Sequence, residues 1–341
     1  MRFEVVSEYP QDETLTRWND FLTEADYATH YVTPGFFLDP FVGEGERFAV
    51  LALDGDSVVA ALTGLRSGRS LQSGLAVRPQ SAFAAGCDRN RAADALVQGL
   101  GTVAGDDVDL INFFSHRPIP GLAERGYTSR LCLGSDQIVV LDCSRGSEAL
   151  FKDFGERRRR TLRSAMREKK LEVKTLETEA ELLELYEIHT DWNRRKGRTP
   201  ESFEKFQMAA SLTDHRKIFL ALHDGKVVAG TFFRFCRGGI IEGSANHSIP
   251  EYQKLAPNEL IMWRAIEWAC ADGFKLFSMG ASHHFLTKFG GEIVANYRYR
   301  SDRTILKLHN NRERLSRLAI RTYQSLPVSI RQGIKSVATR V

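Results

Sequence analysis

Cysteine is scarce and has no pairing pattern. Cys87, Cys132, Cys143, Cys236 and Cys270 are odd in number and widely spaced, with no Cys-x-x-Cys. That argues against a disulfide framework and against a zinc site. No run approaches the roughly 20 apolar residues of a membrane-spanning helix. The opening MRFEVVSEYP has no basic region followed by an apolar core, so no secretory leader is expected and a reducing, cytoplasmic setting is. Neither sign of charge dominates. The 341 residues carry a net charge of +4, are 43% apolar and 26% charged, an ordinary soluble composition that does not by itself imply nucleic acid. Gly-x-Ser-x-Gly is absent, and no cysteine has a paired histidine nearby, so a covalent nucleophile is not indicated. His247, His283 and His284 invite a metal reading. Adjacent rings do not easily reach one ion, however, and no carboxylate sits at ligand spacing, so no metal is expected.

What the chain does contain is a duplicated pattern. Leu51-Ala52-Leu53-Asp54-Gly55 followed by Val58-Val59-Ala60 matches Leu220-Ala221-Leu222 followed by Asp224-Gly225 and Val227-Val228-Ala229. The offset is half the chain. Asp-Gly between two apolar runs is a strong hairpin signal. The same order follows each hairpin: an extended stretch (Ser70–Val77, then Ile240–His247), an apolar-periodic helix (Arg91–Val103, then Asn258–Asp272) and a short strand (Val108–Phe114, then Phe274–Met279). Repeats at this period are domain duplications rather than solenoid units. The expectation is two copies of one α/β unit, residues 1–145 and 146–309, and a basic amphipathic tail, 310–341, broken at Pro327. Length alone already favours two domains.

The second copy opens with a helix expected over Ala149–Lys170, with Leu150, Phe151, Phe154, Leu162 and Met166 on one side. The other side carries Arg157 to Arg160, Arg163, Arg167, Lys169 and Lys170. Thr178-x-x-Glu181 is a capping-box pattern that starts another helix, ended by Gly197. Thr199-Pro200 reads as the opening of the next. Tyr297–Tyr299 and Thr304–Leu308 read as a closing pair of strands.

This order of elements resembles GNAT-type N-acyltransferases, and its two-copy form resembles the FemAB-like branch that includes the peptidoglycan-bridge aminoacyltransferases. The resemblance rests on the Arg-rich stretch Phe154–Arg167, on Pro257–Ala269 followed by Gly273-Phe274-Lys275, and on Lys288-Phe289-Gly290-Gly291. It is strong over 150–300 and weak over 1–145. It implies an α/β (α+β) fold of two tandem GNAT-like domains, each a mixed, mostly antiparallel sheet flanked by helices. It also implies an N-acyltransferase that moves an acyl group, from acyl-CoA (acetyl-CoA) as the commonest donor of the fold, to an amine of a small-molecule or lipid-linked, cell-envelope acceptor. A standard GNAT domain has Arg/Gln-x-x-Gly-x-Gly before the main helix; here Gln253–Asn258 has no glycine. That absence and the basic helix favour the alternative, an aminoacyl-tRNA-dependent transferase acting on a peptidoglycan precursor. A third reading is a binding protein that kept the fold without the chemistry.

Amide formation needs a group to deprotonate the amine, donors for the oxyanion and a proton for the leaving group. Glu242 on the third strand is the expected base and Tyr252 the expected acid. Lys254 and the backbone N–H groups of Asn258, Glu259 and Leu260 are expected to hold donor phosphates at a helix N-terminus. Arg160, Arg163, Trp192, Ser244, Asn246, His247 and Lys288 form the expected substrate-binding set. The arginine run Arg157–Arg160 reads as a solvated helix face or as a phosphate-binding surface for an anionic substrate, a lipid-linked sugar diphosphate or tRNA, rather than as a DNA-binding face, since no helix-turn-helix or finger accompanies it. The basic tail reads either as a contact for an anionic membrane surface at its inner face or as a segment packed on the protein.

Overall fold

The computed structural model describes residues 1–243, 246–282 and 285–325. The first half contains β1 (Arg2–Val6), α1 (Asp12–Glu24), β2 (Glu46–Asp54), β3 (Ser57–Ser67), β4 (Ser70–Ser73), β5 (Ser81–Phe83), α2 (Arg89–Ala104), β6 (Leu110–Ser115), β7 (Thr128–Leu131) and β8 (Ile138–Asp142). Then come α3 (Ser147–Asp153), α4 (Glu156–Glu168), β9 (Glu172–Thr175), α5 (Glu179–Arg195), α6 (Phe203–Ser211), β10 (Arg216–His223), β11 (Lys226–Phe235), β12 (Ile240–Gly243) and β13 (His247–Ser248). The chain continues through α7 (Pro257–Ala271), β14 (Leu276–Ala281), β15 (Glu292–Val294), β16 (Tyr297–Asp302) and α8 (Leu308–Ser325).

The duplication is visible strand by strand. One sheet runs β1-β2-β3-β4-β6-β16-β7 with β5 beside β3; the other runs β9-β10-β11-β12-β14-β8-β15 with β13 beside β11. The orders are the same, and among the described residues the only parallel pair in each is the fourth with the fifth strand, β4 with β6 and β12 with β14. Each hairpin even slips register at the matching point, between Ala52 and Leu53 and between Ala221 and Leu222. One strand is exchanged each way. β8, from the first half, pairs with β14 and β15; β16, from the end of the second half, pairs with β6 and β7. The two halves of the chain are therefore stitched together by backbone hydrogen bonds as well as by packing.

Local chemistry explains most element ends. Asp224 and Gly225 both have positive φ, 50° and 79°, as a two-residue type I′ hairpin turn requires. Thr178 and Glu181 cap α5 reciprocally. The expected helix Ala149–Lys170 is two helices. Phe154 leaves helical conformation and buries its ring against Trp263 and Phe289, while the Gly155 N–H donates to the Lys288 carbonyl at 3.0 Å. The helix expected from Thr199-Pro200 starts later, because Ser202 caps it through the Lys205 N–H. Thr304–Leu308 is not a strand. Asp302 Oδ1 accepts from the Thr304 N–H and hydroxyl and turns the chain into α8. Pro327 lies outside the described residues.

Each sheet is covered on both faces. In the second, α3, α4 and α7 bury one face, with Leu162, Ile261, Ile266 and Phe277 at its centre. The other face holds α5 and α6 over Leu220, Val227 and Phe232. Beyond α6 that face meets the first unit. Arg216, Arg234, Glu242 and Ser278 are successive cross-strand partners over β10, β11, β12 and β14, and such partners share a face. The first unit answers this polar row. Asp39 accepts from Arg216 at 2.5 Å, both side chains at most 1% exposed, and from His30 Nε2–H at 2.8 Å. Arg234 donates to the Tyr31 hydroxyl, and Arg78 Nε lies 3.7 Å from Glu242. Burial alone would raise the Asp39 carboxyl, but His30 and Arg216 outweigh it and hold it well below the usual range. Burial pushes His30 down to about 4, so the imidazole is neutral and donates.

Candidate active site

The second sheet opens where β12 ends. Glu242 and Ser278 are the last residues paired between β12 and β14. β13 then pairs with β11 alone, His247 opposite Gly230 and Ser248 opposite Ala229, while β14 runs on beside β8. Between β13 and β14 lies a wedge with no strand in it among the described residues. Ser244 lies outside the described residues, as do His283 and His284.

His247 and Ser248 point to opposite faces, as neighbours in a strand must. Ser248 meets α7, its hydroxyl accepting from Asn258 Nδ2 at 3.1 Å. His247 meets α5. Its Nε2 is 3.3 Å from His189 Nδ1, and His189 Nε2 is 2.7 Å from a Glu201 oxygen. One proton order satisfies the whole chain. Glu201 can only accept, so His189 donates from Nε2; His189 Nδ1 must then accept from His247 Nε2–H. That leaves the Nδ1 lone pair of His247, which is buried and has no partner. Asn193 does not upset this order. Its Nδ2 lies within 3.3 Å of both His189 ring nitrogens, a position over the ring face, and it donates to the His189 carbonyl at 3.0 Å. Trp192 places its ring edge-on to His247, with centroids 5.0 Å apart. The far end of the relay, Glu201, reaches solvent at 45% exposure.

Burial, with the neighbouring His189, lowers His247 to about 3. An unfolded histidine titrates near 6.5, so acid favours the unfolded chain over the buried neutral rings. The sign follows: stability is full above about pH 6.5 and falls below it, by on the order of 2 kcal/mol at pH 5 for each of His30 and His247. Urea midpoints at pH 7 and pH 5 measure this, and His247→Gln should remove its share of the drop. Equal midpoints for the unmodified chain would contradict the neutral assignment.

A groove of about 360 Å³ lies between α4 and the turn before α7, lined by Arg160, Lys170, Lys254 and Ala256 among others. The glycine loop missing from the sequence has a structural replacement here. Ala256 adopts the left-handed conformation, φ 59° and ψ 45°, directly before α7. For a residue with a Cβ this costs on the order of 1 kcal/mol, and such strain clusters at ligand sites. Ala256 has no side chain to cap the helix, and Pro257 has no N–H, so the Asn258 and Glu259 amides are the first-turn donors.

The expected residues fall into separate groups. Trp192, Asn246, His247 and Asn258 come together around β13, Asn246 accepting from Thr231 at 2.6 Å. Arg160 and Lys254 line the groove. Arg163 lies over the Phe151 ring at 5.5 Å. The Glu259 side chain is bound by Arg158, which is buried between the rings of Phe285 and Phe289 at 4.6 and 4.5 Å. Leu260 is buried, and its N–H is committed to the Ala256 carbonyl. Tyr252 packs on His223, centroids 5.1 Å apart, and Lys288 contributes the carbonyl that ends α3. Glu242 stands in the polar row facing the first unit, with Oε2 buried and unpartnered. His189, Asn193 and Glu201 escaped the sequence reading. The one available signal was His189 three residues before Trp192 on the capped helix. Among the described residues, no group of three or more His, Cys, Asp or Glu side chains is disposed to hold a metal ion.

Residues 153–299 match the acetyltransferase (GNAT) domain family, so the second unit is a GNAT domain. The whole chain is similar in fold to FemX: the two share 11% identity at a TM-score of 0.68, over 86% of this chain and 96% of FemX. The fold is likewise similar to L-PGS from Bacillus licheniformis, at 14% identity, TM-score 0.56, and 89% and 96% of the two chains. A tandem GNAT protein from the clavulanic acid biosynthesis pathway gives 13% identity, TM-score 0.51, and 89% and 99% coverage. No curated protein matches the sequence. The chain is a tandem GNAT-fold acyltransferase.

Proposed function

We propose that the protein transfers an acyl group from a phosphate-bearing donor, acyl-CoA, to an amine of a small or cell-envelope-related acceptor. The observation that supports this best is the wedge between β13 and β14, with a basic groove beside the start of α7 and an uncommitted histidine lone pair on β13. In this reading the donor's phosphates lie against Lys254, Arg160 and the Asn258 and Glu259 amides, and its acyl end enters the wedge. The acceptor amine gives a proton to His247 Nδ1. The neutral amine attacks the acyl carbonyl, the strand edges facing the wedge supply N–H donors for the oxyanion, and the nitrogen releases its second proton to solvent as the C–S bond to the donor breaks. His247 passes its Nε2 proton to His189, which leans on Glu201 at the solvent. Glu242, held by Arg78 and Arg234, orders the acceptor side between the two units, and Tyr252 remains the proposed acid for the leaving group.

Lys254→Gln and Arg160→Gln should each raise the donor KM about tenfold and leave kcat within about twofold, because they remove uniform binding. Calorimetry identifies the donor. No coenzyme A binding at millimolar concentration ends the acyl-CoA reading. Aminoacyl-tRNA is the second donor to test, since Arg157, Arg163 and Arg167 continue the exposed basic face along α4 beyond the groove.

A further inference from the structure

A second basic cavity lies at the edge of the first sheet, where β7 and β16 meet the start of α8. It encloses about 570 Å³ and is lined by Arg130, Arg298, Arg300, Lys307 and Arg314 against one carboxylate, Glu313. The β16–β7 register sets Arg298 directly opposite Arg130. Arg300 follows two residues on, on the same face. Like charges directly opposite in a sheet are destabilising, so this pairing works against the fold. Among the described residues, the nearby acids are few. Glu313 bonds Arg298 at 2.9 Å and also Arg300, and comes within 3.7 Å of Arg130; Asp136 comes within 3.6 Å of Arg130. Glu313 is thus shared among at least three guanidinium groups. Burial, and then the Arg130 charge, lower the Arg298 guanidinium from its ordinary value.

The walls carry excess positive charge, arranged as planar forks that suit phosphate oxygens. Asn310 and Asn311 add amide donors to the rim. The space is many times the roughly 30 Å³ share of one water. None of these residues belongs to the GNAT cleft of the second unit. We propose that this cavity binds a phosphate-bearing ligand through a diphosphate or phosphodiester group, as a site separate from the donor groove. The group could be carried by a soluble molecule or by a lipid headgroup, and the chemistry of recognition is the same.

The test uses the full chain with Lys254→Gln, which weakens the donor groove. Titration with inorganic pyrophosphate should show one site that Arg130→Gln and Arg300→Gln each weaken about tenfold, with Arg264→Gln on α7 leaving it unchanged. Arg130 lies on an edge strand and is 41% exposed, so its variant folds, and circular dichroism checks both. Co-sedimentation with phosphatidylglycerol vesicles, against phosphatidylcholine vesicles, separates the sources. Loss of vesicle binding in Arg130→Gln without pyrophosphate binding assigns the site to a lipid phosphate. If neither probe binds, or if binding is the same in the Arg130 and Arg300 variants, the proposal is overturned.

Discussion

His247→Gln lowers kcat for acyl transfer by about 10²- to 10⁴-fold, the usual contribution of a positioned general base, with the donor KM little changed. The ground is geometric. Of the polar groups around β13, His247 Nδ1 has no partner, and the bond order of Glu201, His189 and His247 leaves it as an acceptor. His189→Gln and Glu201→Gln act through His247, so each should cost less, and their effects should not add to that of His247→Gln. Glu242→Gln is the decisive comparison. Glu242 also has an unpartnered oxygen, but Arg78 lies 3.7 Å from its carboxylate and Arg234 stands opposite it on β11. If Glu242→Gln abolishes turnover and His247→Gln keeps it, the base is Glu242 and the relay is a structural feature of the acceptor wall. Single-turnover rates with a fixed donor separate chemistry from release in both variants.

Arg216→Ala destabilises the chain by about 3–5 kcal/mol, because it strands the Asp39 carboxylate in a site with no access to water. Asp39 is 0% exposed, and its remaining partners, the neutral His30 and the Phe41 N–H, carry no charge. The triad joins β10 of the second unit to the segment before β2 of the first, so the loss should appear as weaker coupling between the units in urea unfolding. The double variant Asp39→Leu with Arg216→Met should recover part of it, since a buried pair replaced together by apolar groups is often neutral. A cost of less than about 1 kcal/mol for Arg216→Ala would mean that water reaches the triad and that the apolar contacts alone hold the units together.

Much of the fold was legible because its signals are local. Asp224-Gly225, Thr178-x-x-Glu181 and the apolar period of α7 report on backbone preferences within a few residues. Two such sets in the same order are enough to recognise a duplication, and the exchange-matched sheets show it. Local signals misled where a tertiary contact overrode them. Phe154 broke a helix because its ring is worth more between Trp263 and Phe289, and Ser202 moved a helix start past a proline.

The candidate site was legible in its residue types and only partly in its groupings. His247, Asn246 and Lys254 stand on one short stretch, and the sequence by itself determined that this stretch follows a hairpin and precedes a helix N-terminus. It determined the duplicated unit, the basic α4 and the missing glycine loop as well. Only the tertiary structure decided that His247 faces His189 and Glu201, since a strand residue's face depends on where pairing with its neighbour is interrupted. It also decided that β8 and β16 change places, that Ala256 takes the left-handed turn without a glycine, and that Glu242 looks toward Arg78. Each depends on residues far apart in the chain. Hydrogen-bond order, burial and strand exchange are properties of pairs, and a pattern read one residue after another carries no term for them.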